Sequence, residues 1–405
     1  MKTAVVILNW NTEAYLRSFL PPLLESLPED ASVIVADNGS TDGSREVLKE
    51  LFPQVRSILL DKNYGFTGGY DRAIGMLLEE EESPEYVLLL NSDILVSGDW
   101  LQPLTQWMDS HPQCGACGPK LHALEPDGKG GWIKTGRFEY AGAAGGLLDR
   151  FGYPYCRGRV LKMVEQDFGQ YDSPKDVLWV SGACLMVRSS VWKELGGLDD
   201  RFFAHMEEID LCWRMQLRGW SVSVVPDSVV WHLGGGSLPK DSPWKLRRNY
   251  CNNLLMLEKN LPDSFRARNP RLSAERCRRK ASVRIFQRKC LDLVAALVYC
   301  LQGHPEYAAA VRDGHREYRK LRTEPQGNPL AKVRDTDASW SSARYGAPAE
   351  GSSSRYGVSA PECAPSAPTC APCPPAGFTS LFLLAAYYTR GKDIFRYLKE
   401  TKKYL

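Results

Sequence analysis

Residues 85–90 read EYVLLL, an apolar run that does not alternate and that stops at Asn91-Ser92-Asp93. A strand with no wet face belongs to a parallel sheet covered on both sides by helices. The polar triplet then falls at the strand's carboxyl end, where open α/β sheets bind their ligands. Taken alone, Asn-Ser-Asp reads first as an Asx turn that ends a strand. The choice between the two readings depends on what the remainder of the chain brings to the same edge.

The flanking pattern repeats the unit. Residues 4–8 (AVVIL) read as a strand and residues 13–27 as a helix interrupted at Pro21-Pro22. Residues 32–36 form a second strand, ending at Asp37 in DNGSTDGS, a loop that supplies helix caps. A third strand at 57–60 leads through the glycine-rich NYGFTGG into another helix. Strands alternating with helices predict an α/β class, a mostly parallel sheet flanked by helices. Beyond residue 120 the pattern loosens, and residues 124–175 read as an irregular excursion. Strand character returns at 177–187, helix at 189–195 and after Glu207, and strand again at 221–225, running on through PDSVVWH. These elements define a domain over residues 1–260.

Beyond residue 260 the composition changes. From residue 266 to 289 ten Lys or Arg stand against one Glu, and LDLVAALVYCL comes next. Residues 261–325 therefore read as a basic amphipathic helical extension suited to an anionic membrane surface. Residues 326–377, rich in Pro, Ser, Ala and Gly, read as a disordered linker, and 378–405 as an amphipathic basic segment. The net charge of +3 gives no case for a nucleic-acid partner. The N-terminus lacks a signal-peptide pattern, and no window has the roughly 18 apolar residues of a spanning helix. The expected location is cytoplasmic, peripheral on the inner face of the membrane. Cys114 and Cys117 have CxxC spacing without a second pair at zinc-ribbon distance, which predicts buried free thiols.

At the predicted sheet edge, Asp37 and Asp93 end two strands on the same side. The loops Asn9-Trp10-Asn11, Asn63 to Gly69, and Trp231-His232 with its glycine run can converge there. Neither GxGxxG nor a Walker signature is present, which argues against dinucleotide and P-loop sites. A carboxylate and an imidazole beside a diphosphate suit Mg²⁺ or Mn²⁺, so Asp93 and His232 are the expected metal ligands. In FFAHMEEIDLCWR, Glu207, Glu208 and Asp210 occupy a first helical turn, where acids suit the dipole and Asp210 can pair with Arg214. One glutamate can project as a general base, and the pattern does not choose between Glu207 and Glu208.

Together VVILNWN, DNGSTD, NxGFxGG, LLLNSD, FFAHMEEIDLCWR and VWHLGGG resemble the inverting family 2 glycosyltransferases of GT-A fold, in particular their rhamnosyltransferase-like branch. The resemblance covers residues 1–260. It implies that Asn91-Ser92-Asp93 is the DxD position, with Asn91 replacing the first aspartate. It implies that Asn9, Trp10, Asn11 and Asp37 bind the nucleotide, and that Asn63, Gly65, Phe66, Gly68, Gly69 and Asp71 wrap the nucleotide-sugar. Glu208 stands where relatives carry an aspartate base, and Tyr70 where they carry Asn, a change expected to alter donor contacts. The implied reaction is metal-dependent transfer of a sugar, dTDP-rhamnose being one donor, to a glycan or lipid-linked glycan of the cell surface. A sugar-nucleotide nucleotidyltransferase would want a basic phosphate-gripping loop, which LNWNTEAY lacks. A non-catalytic nucleotide-sugar-binding protein is the other alternative.

Overall fold

The computed structural model describes residues 1–234, 242–325 and 394–400. Four parallel strands form one side of the ten-stranded main sheet: β1 (Thr3–Asn9), β2 (Ala31–Asp37), β3 (Arg56–Leu59) and β4 (Tyr86–Asn91). The sheet also holds β5 (Ile94–Leu95), β6 (Cys114–Pro126), β7 (Trp132–Phe138), β12 (Lys175–Asp176), β13 (Cys184–Arg188) and β14 (Ser221–His232). Its order is β12-β14-β6-β13-β4-β1-β2-β3, with β5 paired to β14 and β7 to β6. The register of β1 pairs Asn9 with Asp37 on one side and Leu8 with Asn91 on the other. Three polar strand ends thus share one edge.

The unalternating strands have the cause inferred from the sequence. In β4, Val87 and Leu89 enter one core and Leu88 and Leu90 the other. Helices α1 (Glu13–Glu25), α2 (Ser44–Leu51) and α4 (Gln102–Ser110) cover one face. Helices α3 (Gly65–Leu78), α5 (Ser189–Leu195), α6 (Glu207–Leu217) and α7 (Pro243–Arg268) cover the other. Helix α1 runs through Pro21 and Pro22 without the expected interruption. The carbonyls that lose their donors belong to the exposed Arg17 and Ser18, while Leu16, Phe19, Leu20 and Leu23 stay buried.

Two other expectations need correction. The excursion at 124–175 holds β7 and a second, four-stranded sheet of β8 (Gly146–Leu148), β9 (Pro154–Cys156), β10 (Arg159–Val160) and β11 (Met163–Val164). Strands of two or three residues interrupted by glycine carry no readable period. Within 177–187, only the end is strand. Residues 177–183 are buried coil whose backbone bonds to Val222 and Gly146. Cys114 and Cys117 are buried free thiols.

Helix α7 passes residue 260 unbroken. Lys259 and Asn260 bond to Asp210, and Ser264 accepts from the indole of Trp213. Helices α8 (Ala274–Leu301) and α9 (Pro305–Leu321) pack against α7, and α10 (Ile394–Glu400) sets Ile394 and Leu398 against Leu147, Tyr155 and Val160. The linker read at 326–377 lies outside the described residues, as does most of 378–405. No helix among the described residues is long and apolar enough to cross a membrane.

Candidate active site

The sheet edge carries a continuous polar seam. Asp37 is fully buried, with Oδ2 accepting from Asn9 Nδ2 (3.0 Å) and Oδ1 from Arg45 Nε (2.6 Å) and the Ser40 amide (3.1 Å). The Thr12 hydroxyl bridges Asn9 (2.5 Å) and Ser92 (3.1 Å) and so carries the seam from β1 to β4. Asn11 sits at φ 54°, its side chain accepting from the Thr41 amide, and Trp10 is 41% exposed beside it. Arg45, Thr12 and Ser40 were not singled out in the sequence. Only Arg45, the cation eight residues after Asp37, leaves a signal there.

The glycine-rich loop is built as much by protein neighbours as by any ligand. Asn63 and Asn38 bond to each other, and Asn63 also accepts from the Gly65 amide. Gly65 lies at φ +74°, and a Cβ there would come within 2.6 Å of Phe203. A Cβ on Gly69 would meet Leu8 at 2.6 Å, so α3 lies close on β1. The first amides of α3, on Phe66 and Thr67, donate to the Phe203 carbonyl. Asp71 accepts from the Leu198 amide and fastens the segment leading to α6. Tyr70 is wholly buried with its hydroxyl on the Leu90 carbonyl, so the expected change in donor contacts finds no exposed group there. Gly68 faces Tyr64 and Arg72.

At the end of β4, Asp93 Oδ1 lies 3.1 Å from His232 Nε2, and Asn91 Nδ2 lies 3.5 Å from the same nitrogen. Strand β5 pairs with the end of β14 and delivers the two side chains to each other. Glu139, from the loop after β7, sits 3.6 Å from His232 Nδ1, an ionic contact too long for a hydrogen bond. Burial opposes charge on the imidazole, but Asp93 and then Glu139 outweigh it and push His232 up to about 10. Burial likewise works to raise Asp93, and the His232 charge more than offsets it, holding the carboxyl below its ordinary range. Among the described residues no group of three or more His, Cys, Asp or Glu could hold a metal ion, so Asp93 and His232 would hold a divalent cation only with phosphate and water as its remaining ligands. Glu139 was missed because nothing periodic marks the segment that carries it.

The two glutamates differ in environment. Glu207 is 4% exposed, and burial, then repulsion from Glu208, raises it well above the ordinary glutamate value. Glu208 is partly exposed beside Phe66 and Gly182, and burial pushes it up to about 7. One oxygen of each lacks a protein hydrogen bond. Asp210 is instead locked to Arg214, Lys259 and Asn260, the structural pairing read from the sequence.

The backbone that presents them is strained. Phe203, His205 and Met206 all have positive φ (60°, 73° and 72°), a cost of about 1–2 kcal/mol each. Asn252 of α7, fully buried, donates Nδ2 to the carbonyls of Phe202 (2.9 Å), Ala204 (2.8 Å) and His205 (2.8 Å). Asn252→Ala is expected to lower kcat about tenfold with donor KM within about twofold, because only the segment holding the glutamates relaxes. Steady-state kinetics with a thermal unfolding control check this.

Residues 4–168 match the family model described as Glycosyl transferase family 2, and residues 156–302 that described as Glycosyl transferase family group 2. The chain is a family 2 glycosyltransferase. This transferase is 29% identical over 259 residues to N-acetylglucosaminyl-diphospho-decaprenol L-rhamnosyltransferase of Mycobacterium tuberculosis, covering 62% of this chain and 83% of that protein. It is 23% identical over 226 residues to Rhamnosyltransferase WbbL of Escherichia coli K12, covering 55% and 80% of the two chains. The crystal structure of GalNAc-T7 with UDP, GalNAc and Mn2+ aligns with 70% of this chain and 54% of its own, at 16% identity and a TM-score of 0.49. The fold is of the α/β class expected from the sequence, with helices covering both faces of the sheet.

Proposed function

We propose that this transferase moves a sugar from a nucleoside-diphosphate-sugar, dTDP-rhamnose being the first donor to test, to a lipid-linked glycan acceptor in cell-surface polysaccharide synthesis, with inversion at the anomeric carbon. The observation that carries the reading is Glu208, pushed up to about 7 and set beside Gly182, next to Ala183, whose carbonyl accepts from the Asn91 amide at the end of β4. A general base works best when its pKa lies near the working pH. The relatives in Mycobacterium tuberculosis and Escherichia coli are named as rhamnosyltransferases, which supports the donor and, for the first, an acceptor of diphospho-polyprenol type.

Ionised Glu208 takes the proton from the acceptor hydroxyl as that oxygen bonds to C1. The bond from C1 to the diphosphate oxygen breaks on the opposite face, and the nucleoside diphosphate leaves with the electron pair. Glu207, whose carboxyl burial and then Glu208 raise well above the ordinary glutamate value, resists carrying a second negative charge beside Glu208. Asn9 and Asp37, both fully buried, brace the turn of Trp10 and Asn11, which with Asn63 and Phe66 would hold the nucleotide end. A divalent cation held by Asp93 and His232 would supply neutralisation of the departing diphosphate. The test is release of nucleoside diphosphate from a panel of sugar nucleotides, with Mn²⁺, Mg²⁺ or EDTA. Release from a single donor, lost in EDTA, is the expected result. Release of pyrophosphate would overturn the reading in favour of nucleotidyl transfer.

A further inference from the structure

Helix α8 is built inside out. Toward the protein, its second half buries Arg288 and Asp292, paired at 2.7 Å, with His315 on the other carboxylate oxygen at 3.0 Å. Toward solvent it shows Val283, Phe286, Leu293, Val294, Leu297, Val298 and Leu301, between 39% and 87% exposed. These recur at three- and four-residue spacing and so share one face. The same face carries Arg276, Arg279 and Lys280 one to two turns earlier. A helix of 28 residues is about 42 Å long, so the face is cationic along its first half and apolar along its second.

The cationic half opens into a groove of about 630 Å³ lined by Arg276, Arg279, Lys280, Arg284 and, from the loop after β8, Arg150, with Val283 continuing into the apolar half. None of its lining residues is acidic. Arg284 is held below its ordinary value by burial and then by the charge of Arg150. The structure also separates these cations from others that the sequence grouped with them. Arg288 is buried in the core, and Lys289 lies over the Tyr318 ring.

We propose that this groove is a binding site for the phosphate headgroups of an anionic bilayer, with the apolar half of α8 entering the interface beside it. Charge complementarity selects the occupant, since five clustered cations beside an apolar face match an interface presenting phosphates over acyl chains. A second copy of this chain would bring its own five cations to the same place. The inference rests on the proposed lipid-linked acceptor, because it seats the enzyme where that acceptor lies.

Cosedimentation of the full chain with phosphatidylcholine vesicles, with and without phosphatidylglycerol, tests it. Binding should require phosphatidylglycerol and weaken as salt is raised. Arg276→Glu with Arg279→Glu and Lys280→Glu should lower it about a hundredfold or more, at about fivefold per cation removed. Phe286→Ser with Leu297→Ser and Leu301→Ser should lower it about tenfold or more. All six positions are exposed, and unchanged thermal unfolding confirms that the variants fold. Equal binding to neutral vesicles, no binding, or wild-type binding by either variant overturns the proposal. So does a dimer in light scattering that the serine variant dissolves. Nucleoside diphosphate release with a water-soluble acceptor should be the same in both variants. Its absence from the wild type would count against the transferase reading and leave the groove standing.

Discussion

Glu208→Gln should lower kcat by about 10²- to 10⁴-fold while leaving donor affinity within about twofold. General-base assistance supplies an acceleration of that order, and the amide keeps the side chain's shape beside Phe66 and Gly182. The pH profile distinguishes a lost base from a disturbed site. With the carboxyl pushed up to about 7, wild-type kcat should fall about tenfold per unit as pH drops below that value, and level off above it. The Gln variant should lose that limb. Stability supplies an opposite and independent sign. A carboxyl raised above its ordinary value of 4.5 binds more protons folded than unfolded, so the fold loses stability as pH rises from about 4.5 to 7. Glu208→Gln should therefore raise the Tm at pH 8 and change it least near pH 4. Wild-type turnover by the Gln variant would remove Glu208 from the base role. Glu207→Gln should leave the acid limb in place, because burial, not Glu207, is the main cause of the raised Glu208 carboxyl.

The sequence was most informative where burial imposes a simple pattern. Residues 87–90 could be placed because both faces of the strand are covered, which forces every position to be apolar. The pairing of Asp210 with Arg214 could be read because helix geometry fixes the i, i+4 distance. Glu139 could not, since it meets His232 across 93 positions of chain, from a segment whose short strands show neither period. Asn252 was hidden for another reason. One asparagine on a long helix looks like a solvated residue, and its importance lies in three carbonyls of a strained segment that only the fold brings near it. The basic run after residue 265 looked uniform because composition does not record facing. Arg288 and Arg284 differ by four residues, yet one is sealed in the core and the other lines a groove. The glycines of NYGFTGG were legible as a loop entering a helix, but the contacts that require Gly65 and Gly69 come from Phe203 and Leu8.

Asp93→Ala should weaken Mn²⁺ binding about a hundredfold or more, measured as free Mn²⁺ by electron paramagnetic resonance with no substrate turnover needed. Asp93 is 4% exposed, and its partner across 3.1 Å is His232, so removing it takes away the carboxylate on the Nε2 side of the imidazole and leaves Glu139 on the Nδ1 side. Glu139→Gln tests the outer shell of the same arrangement. Glu139, 3.6 Å from the ring nitrogen that does not face Asp93, raises the imidazole's basicity through its charge. Its loss should weaken Mn²⁺ about 10- to 100-fold, less than the loss of Asp93. The order of the two effects matters more than either magnitude. If Glu139→Gln weakens Mn²⁺ as strongly as Asp93→Ala, Glu139 is itself a ligand and His232 bridges two acids. If neither substitution changes Mn²⁺ affinity, the buried trio is a structural ion pair at the end of β14, and the polar triplet that ends β4 is the strand-terminating turn it first resembled.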